Sequence, residues 1–251
     1  MKVSTYKNNL LVLGSVLAII IIWHVAAVVV GKEILLPGPG LTGKSIFQIM
    51  GRESFWQHLS ATLIRGIAGF SLSFLVGLVF GVLSGLNRKF EAFFQPWLVL
   101  LRSTPSMALI LLALIWFKSD SVALFVTFLV VFPIITQNVS EGIQQIDPRL
   151  KEMALIYHVS PSRILRQMYL PAILPYIAAG GAAGLGLTWK VMIAAEVIAN
   201  PRLGIGTQMD AARIFLQTPE VFAWTAVVVS IGLLFDRALE VFIRKKLLYW
   251  E

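Results

Sequence analysis

The stretch LKEMALIYHVSPSRILRQMYLPAILP, residues 150–175, interrupts a strongly apolar chain with charged residues and with residues that begin and end helices. Its first part predicts a short helix, because apolar residues recur at the spacing of one helical face. These residues are Leu150, Met153, Ala154 and Tyr157. The charged side chains between them would lie on the opposite face, so the pattern indicates a two-sided element rather than a buried one.

A turn and a second short helix follow. Ser160 can cap the second helix, and Pro161 suits the first helical position, where a missing N–H costs nothing. A short charged helix-turn-helix of this kind suits docking into a groove on a soluble partner. The alternative is a plain loop that covers one end of a helical bundle.

The composition places this element in a membrane protein. The chain has 251 residues, of which 57% are hydrophobic and only 14% are charged, whereas soluble domains carry about 25% charged residues. Six apolar segments are long enough to span a bilayer. They cover residues 10–30, 60–86, 93–117, 121–139, 172–199 and 221–243. We therefore expect one all-α, polytopic membrane domain over residues 1–251, with six transmembrane helices.

The first apolar run could instead be a secretory signal. Signal cores are about 7–15 residues long and precede a small-residue cleavage site. Residues 10–30 form a longer run without a clear site of that kind. We expect a retained anchor helix.

The net charge of +8 would suggest nucleic acid in a soluble protein. In a membrane protein, excess Lys and Arg mark the cytoplasmic loops, so we expect no nucleic-acid partner. The basic residues fall mostly on the side of the N terminus, in groups such as Arg163 with Arg166 and the run 244–246. This bias predicts both termini in the cytoplasm, with residues 141–171 on the same side.

On the other side, residues 31–59 form an outer segment. Its LLPGPG, residues 35–40, predicts a turn, because Pro-Gly pairs punctuate regular structure. Residues 45–59 are typical of an amphipathic interfacial helix with Phe55 and Trp56 at the headgroup level.

The sequence offers no catalytic or nucleotide-binding motif that is complete with its structural context. Residues 38–45, GPGLTGKS, match the letters of the Gly-x-x-x-x-Gly-Lys-Ser/Thr motif, but an apolar spanning run rather than a strand precedes them, so we expect no ATP hydrolysis by this chain and no cofactor bound to it. The chain contains no Gly-x-Ser-x-Gly elbow near a histidine and no cysteine. Any energy input must then come from a partner, which would bind the ATP and Mg²⁺.

Residues 152–171 resemble the coupling loop of ABC-importer permeases. That loop reads Glu-Ala-Ala, three residues, Gly, nine residues, a hydrophobic residue, one residue and Leu-Pro. The positions in this chain that correspond to the pattern are Glu152, Met153, Ala154, His158, Met168, Leu170 and Pro171. Methionine stands for the first alanine and histidine for the glycine. The resemblance implies that Glu152, Ala154, His158, Ser160, Leu170 and Pro171 belong to the ATPase-coupling element.

The remaining chain is similar to permeases of the nitrate, sulfonate and taurine import group. The similarity lies in the Arg65-x-x-x-Gly69-Phe70 pattern, in Arg102 with Pro105, and in the two segments 186–199 and 203–206. The resemblance implies a type I ABC-importer permease fold in a bacterial inner membrane and a homodimer docked on two ATPase subunits. It also implies an external binding protein and a small, anionic solute. A thiamine precursor or an aromatic acid is an open alternative.

Ionisable residues inside spans are expensive in hydrocarbon and usually face a cavity or a partner. Lys190 and Glu196 both lie in the fifth apolar segment, separated by roughly 240° of helix rotation. We expect Lys190 to face a translocation pathway and to favour anions, with an ion pair or snorkelling as the alternative. Arg102, Pro105, Trp189 and Glu196 are further pathway candidates.

Two other function classes compete with this interpretation. A secondary transporter or channel would work without ATP, and such folds often show inverted repeats; the sequence shows no repeat. A membrane-embedded enzyme would require clustered His, Asp or Glu at membrane depth, and the sequence shows none. Co-purification with a soluble ATPase would separate the importer from both.

Overall fold

The computed structural model describes the backbone of residues 2–247 and the side chains of residues 11–239 and 241. Over this part the chain is all-helical, with eleven α-helices and one π-helical turn. The helices are α1 Lys2–Val30, α2 Pro39–Met50, α3 Glu53–Leu86, α4 Arg88–Ser103, α5 Ser106–Trp116, α6 Ser119–Gln144, α7 Pro148–Ile156, α8 Pro161–Ile164, α9 Leu170–Ala199, α10 Ile205–Ile214 and α11 Thr218–Leu247. The π turn Leu165–Tyr169 joins α8 to α9, so residues 161–199 form one continuous helical segment.

Five helical segments are long and apolar enough to cross a membrane, and a bent pair of helices makes a sixth. The bent pair corrects the expectation of one helix over residues 93–117. α4 ends at Ser103, α5 begins at Ser106, and the two are bent by 99°. Pro105 explains the break, because the residue before a proline is pushed out of the helical region. Thr104 is accordingly extended, with φ −76° and ψ 125°.

The core of the bundle is a sandwich of α3, α6 and α9. Glycines on α3 face α6 so closely that a β-carbon at Gly77, Gly81 or Gly85 would lie 2.6–2.9 Å from a side chain on α6. Small residues allow this approach between helices in lipid. Gly77, Gly81 and Gly85 of the second span therefore serve helix packing. Gly186 on α9 differs, since a β-carbon there would meet nothing within 4 Å.

At the end of the bundle away from α7, α2 packs on α11. The structure corrects the expectation of one interfacial helix over residues 45–59, because α2 ends at Met50 and α3 begins at Glu53. Phe55 is buried and stacks on Trp224 at 5.3 Å between ring centroids, while Trp56 is 60% exposed. Only Trp56 therefore has the exposure expected of a headgroup anchor.

Candidate functional site

The helix-turn-helix that interrupts the apolar sequence stands at one end of the bundle. α7 begins at Pro148, and the Asp147 carboxylate caps it by accepting the Arg149 backbone N–H at 2.9 Å. A side-chain cap satisfies a donor that has no partner inside the helix. The helix is therefore well defined at its start despite its nine residues.

The turn after α7 has the geometry that a glycine normally provides. His158 has φ +50°, in the left-handed region. Its N–H donates to the Leu155 carbonyl at 3.1 Å, and the Val159 N–H donates to the Ala154 carbonyl at 3.0 Å. These two bonds define a Schellman motif with His158 at the C′ position. The expected turn forms with histidine in place, at the cost of a conformation that L-residues disfavour.

The second helix begins as predicted, but its cap differs. Ser160 is the N-cap residue and Pro161 is the first helical residue. However, the Ser160 hydroxyl does not cap the helix; it lies 3.5 Å from the Ser162 hydroxyl. The backbone carbonyl of Ser160 instead accepts from the first turn, at 2.9 Å from Arg163 N.

The junction between α8 and α9 is a π turn at the Leu-Pro pair. The Leu170 N–H donates to the Leu165 carbonyl, five residues back. Pro171 has no N–H to offer to Gln167, and its ring would crowd that carbonyl in a regular helix. A wider turn relieves both problems, and π turns are frequent at functional positions.

α7 and the start of the 161–199 segment enclose an apolar groove of about 1020 Å³. Its lining includes Leu150, Ala154, Ile164 and Met168. Ala154 is buried, so its side chain belongs to this interior face.

The C-terminal end of α7 is open. Leu155, Ile156 and Tyr157 are 70–75% exposed and form an apolar tip, which we call the α7 tip. The Glu152 side chain is exposed on α7, and Leu170 is 43% exposed at the start of α9. An exposed apolar tip with an adjacent carboxylate fits a protein contact better than it fits a plain covering loop.

Arg102 lies beside the break between α4 and α5. Together with Ile134 of α6 it lines two cavities, of about 370 and 160 Å³. Thr104 and Leu187 also line the larger one, and Glu141 also lines the smaller one. The break between α4 and α5 therefore lies next to two cavities that are both lined by the Arg102 side chain.

The other pathway candidates on α9 fall in three different environments. Lys190 is exposed. Trp189 is buried and packs on Phe235, at 4.7 Å between ring centroids, and under Gly66. Glu196 is fully buried. Of the three, only Lys190 has a side chain that could face a solvent-filled path.

Glu196 accepts hydrogen bonds from several directions. Arg65 Nη1 donates to Oε1 at 2.9 Å, the Gly206 N–H donates to Oε2 at 3.0 Å, and the Thr62 hydroxyl lies 2.8 Å from Oε2. We call the residues around this carboxylate the distal cluster, since they lie at the end of α9 far from α7. The cluster comprises His58, Thr62, Arg65, Glu196, Gly204 and Gly206.

Sequence reasoning did not connect these residues. Arg65 and Glu196 are 131 positions apart, and no periodicity relates them. The sequence did carry one indication. Glu196 lies in an apolar span, where an unpaired carboxylate is costly, and the glycines of LGIG, residues 203–206, follow shortly after it.

Comparisons with known proteins agree with this geometry. The family model of binding-protein-dependent transport system inner membrane components matches residues 73–247. The chain is 35% identical to the bicarbonate transport system permease protein CmpB of Synechococcus elongatus, over 73% of this chain and 66% of that protein. It thus spans about two thirds of that relative's length. It is 28% identical to the taurine transport system permease protein TauC of Escherichia coli, over 91% and 85% of the two chains.

Among solved structures, an inward-facing form of the MetNI methionine ABC transporter shares the fold. The TM-score is 0.64 at 17% sequence identity, and the match covers 76% of this chain and 95% of that one. The chain therefore belongs to the binding-protein-dependent transport system inner membrane components, as a permease subunit in the nitrate, sulfonate and taurine group of ABC importers.

Proposed function

We propose that a separate ATPase drives this permease by docking on the α7 tip. The observation that carries the proposal is the exposure of Leu155, Ile156 and Tyr157 on a capped, rigid helix-turn-helix. Burial of exposed apolar side chains drives association between proteins. Residues 39–45, which match a P-loop by their letters, lie inside α2 rather than in a loop after a strand, so ATP and Mg²⁺ would be bound by that partner.

Glu152 would anchor the docked ATPase through its exposed carboxylate. Charge reversal should replace an attraction at the interface by a repulsion, which costs several kcal/mol in a protein contact. We expect Glu152→Lys to lose ATP-driven uptake and ligand-stimulated ATPase activity in the reconstituted complex. Asp236→Lys, an exposed charge reversal on α11, is the matched control. Full stimulated ATPase activity in Glu152→Lys would rule out this role.

We further propose that the translocation pathway passes the break between α4 and α5. A helix broken inside a bilayer is tolerated only where it is buried in protein or lines a cavity, and here the cavities carry Arg102. Lys190 would add a second cation on the exposed face of α9. Relatives named for bicarbonate and taurine transport support a small solute bearing an anionic group.

The test of the pathway is charge removal without a change of length. Arg102→Met and Lys190→Met should sharply reduce uptake while membrane assembly stays normal. Arg237→Met, which removes an exposed charge on α11, should keep wild-type uptake. Uptake at the wild-type level in both pathway variants would exclude cationic selection along this path. Calorimetric screening of the cognate binding protein would then name the solute.

The assembly would contain two copies of this chain, with an external binding protein on the outer segments 31–59 and 200–220. Both termini would lie in the cytoplasm, following the distribution of Lys and Arg. The chain has no cysteine, so single cysteines report topology without background. Ser162→Cys should be labelled only from the cytoplasm and Arg202→Cys only from outside. The reverse pattern would invert the topology.

A further inference from the structure

The distal cluster joins three parts of the chain that are remote in sequence. Arg65 on α3 contacts the Glu196 carboxylate on α9, donates to the Leu203 carbonyl at 2.6 Å in the connecting loop, and reaches Asp120 at the start of α6 at 2.9 Å. Arg65 and Glu196 are 14% and 0% exposed, so this pair is shielded from water. A buried pair of this kind holds only if further hydrogen bonds satisfy the remaining polar atoms.

The loop between α9 and α10 supplies those hydrogen bonds through its backbone. The Thr62 hydroxyl accepts the Ile205 N–H at 2.8 Å, and His58 Nδ1 accepts the Gly204 N–H at 3.0 Å. Each amide of residues 204–206 therefore has a partner on α3 or on Glu196.

Gly204 and Gly206 are required because neighbouring atoms lie too close to admit a β-carbon, and not because of their backbone angles. A β-carbon at Gly206 would lie 2.5 Å from Glu196 Cβ and 2.7 Å from the Ile193 carbonyl. A β-carbon at Gly204 would lie 2.8 Å from Glu196 Cδ. The loop is thus pressed directly onto the carboxylate, and only glycine fits at these two positions.

The loop entry is fixed in the same way. α9 ends at Ala199; its C-cap residue Asn200 takes the left-handed conformation with φ +47°, and Pro201 follows. Asparagine adopts this conformation more readily than most residues, and proline cannot continue a helix. The chain therefore leaves α9 in one direction, toward α3.

We propose that the distal cluster makes the end of α9, the loop 200–206 and α3 one rigid body. Its role would be to transmit the docking of the external binding protein from the outer surface to the coupling element. This inference rests on the proposed function for the direction of the signal. The helical segment Pro161–Ala199 has 39 residues and is about 58 Å long at 1.5 Å per residue, and it joins the α7 groove to the cluster. Thr62, Arg65 and Glu196 are then positioning residues, since they act through the loop and do not touch the solute.

The first test measures the rigid body directly, in the full-length chain in lipid nanodiscs. Spin labels at Gln57→Cys on α3 and Arg202→Cys in the loop report one distance, and both side chains are exposed. We expect a narrow distance distribution in the wild-type background and with Thr62→Ser, which keeps the hydroxyl. Thr62→Val keeps the shape but leaves the Ile205 N–H without an acceptor, so the distribution should broaden. An equally narrow distribution in Thr62→Val would overturn the proposal.

The second test measures the signal in the complex with its ATPase and binding protein. We expect Thr62→Val and Glu196→Ala to lose at least about fivefold of the binding-protein stimulation of ATPase activity, within the usual range of coupling between sites. Basal ATPase activity should stay within about twofold, because the α7 tip is unchanged. Thr62→Ser should restore stimulation, and Thr225→Val, which removes only a local hydrogen bond to the Val221 carbonyl on α11, should keep it.

Unchanged stimulation in Thr62→Val would also overturn the proposal. A purely structural defect would lower basal and stimulated rates together, which would count against it as well. The distance measurement needs no ATPase. Failure of docking on the α7 tip would appear as lost ATPase binding with the distance distribution intact, and so is distinguishable from failure of the distal cluster.

Discussion

Adding one methyl group at Gly81 should loosen the contact between α3 and α6 by a predictable amount. The new β-carbon would lie 2.6 Å from Val139 Cβ and 2.8 Å from the Thr136 carbonyl oxygen. Comfortable contact between carbon atoms needs about 3.5–4.0 Å, so the two helices must separate by roughly 1 Å. Both opposing atoms belong to backbone or to a stiff β-branched side chain, so neither can swing aside.

Overpacking of this kind costs about 1–3 kcal/mol. The higher helix propensity of alanine does not offset this cost, because a helix in lipid stays hydrogen-bonded when the bundle comes apart. For a chain of this size the cost corresponds to a fall of roughly 2–12 °C in apparent Tm.

The assay is thermal unfolding of the purified permease in detergent at a fixed scan rate. Gly232→Ala is the control, because a β-carbon there meets nothing within 4 Å; its Tm should stay within about 2 °C, as for surface changes generally. Equal Tm values for Gly81→Ala and the wild type would refute the reasoning, as would an equal fall in the control.

Two further predictions concern the turn after α7 and the outer surface. His158→Gly removes a left-handed histidine that costs about 1–2 kcal/mol but loosens the unfolded chain by about 0.4–1 kcal/mol; Tm should rise by up to about 4 °C, and a fall would show that the imidazole itself is needed. Arg52 donates to Glu220 at 3.0 Å with its side chain 48% exposed, and this hydrogen bond raises the pKa of Arg52. A double-mutant cycle to alanine should give a coupling of about 0.5–1 kcal/mol that shrinks in 1 M salt; a salt-independent coupling would exclude an exposed ion pair.

Local rules predicted much of this fold. The long apolar runs predicted the spans, and Pro161 predicted the start of α8. The break around His158 predicted a turn, and the structure shows that this histidine takes the left-handed conformation there.

The distal cluster could not be predicted from local rules, because it depends on tertiary contacts. Arg65 looked like a residue at the boundary of a span, and Glu196 looked like a candidate for the pathway. The structure joins them across two helices and a loop. Neither propensity nor periodicity carries information about which remote side chain will neutralise a buried charge.

Two prolines show how the same residue produces opposite outcomes in this bundle. At Pro171 the preceding Leu170 stays helical, with φ −56° and ψ −49°, since a π turn absorbs the missing hydrogen bond. At Pro105 the helix breaks. There the last turn of α4 is closed at the Leu100 carbonyl, which accepts the Thr104 N–H at 3.1 Å and also the hydroxyls of Ser103 and Thr104, at 3.1 and 2.7 Å.

The two outcomes match the two demands that transport places on a permease. A segment that carries displacement from an ATPase to the outer surface has to be continuous, and residues 161–199 keep their helix through two prolines. A site for a hydrated or charged solute requires polar groups at membrane depth. A broken helix provides these where it borders a cavity, and the break at 104–105 borders about 370 Å³ next to Arg102. Under the proposed function, Pro105 therefore marks the break beside the pathway, and Pro171 lies in the continuous coupling segment.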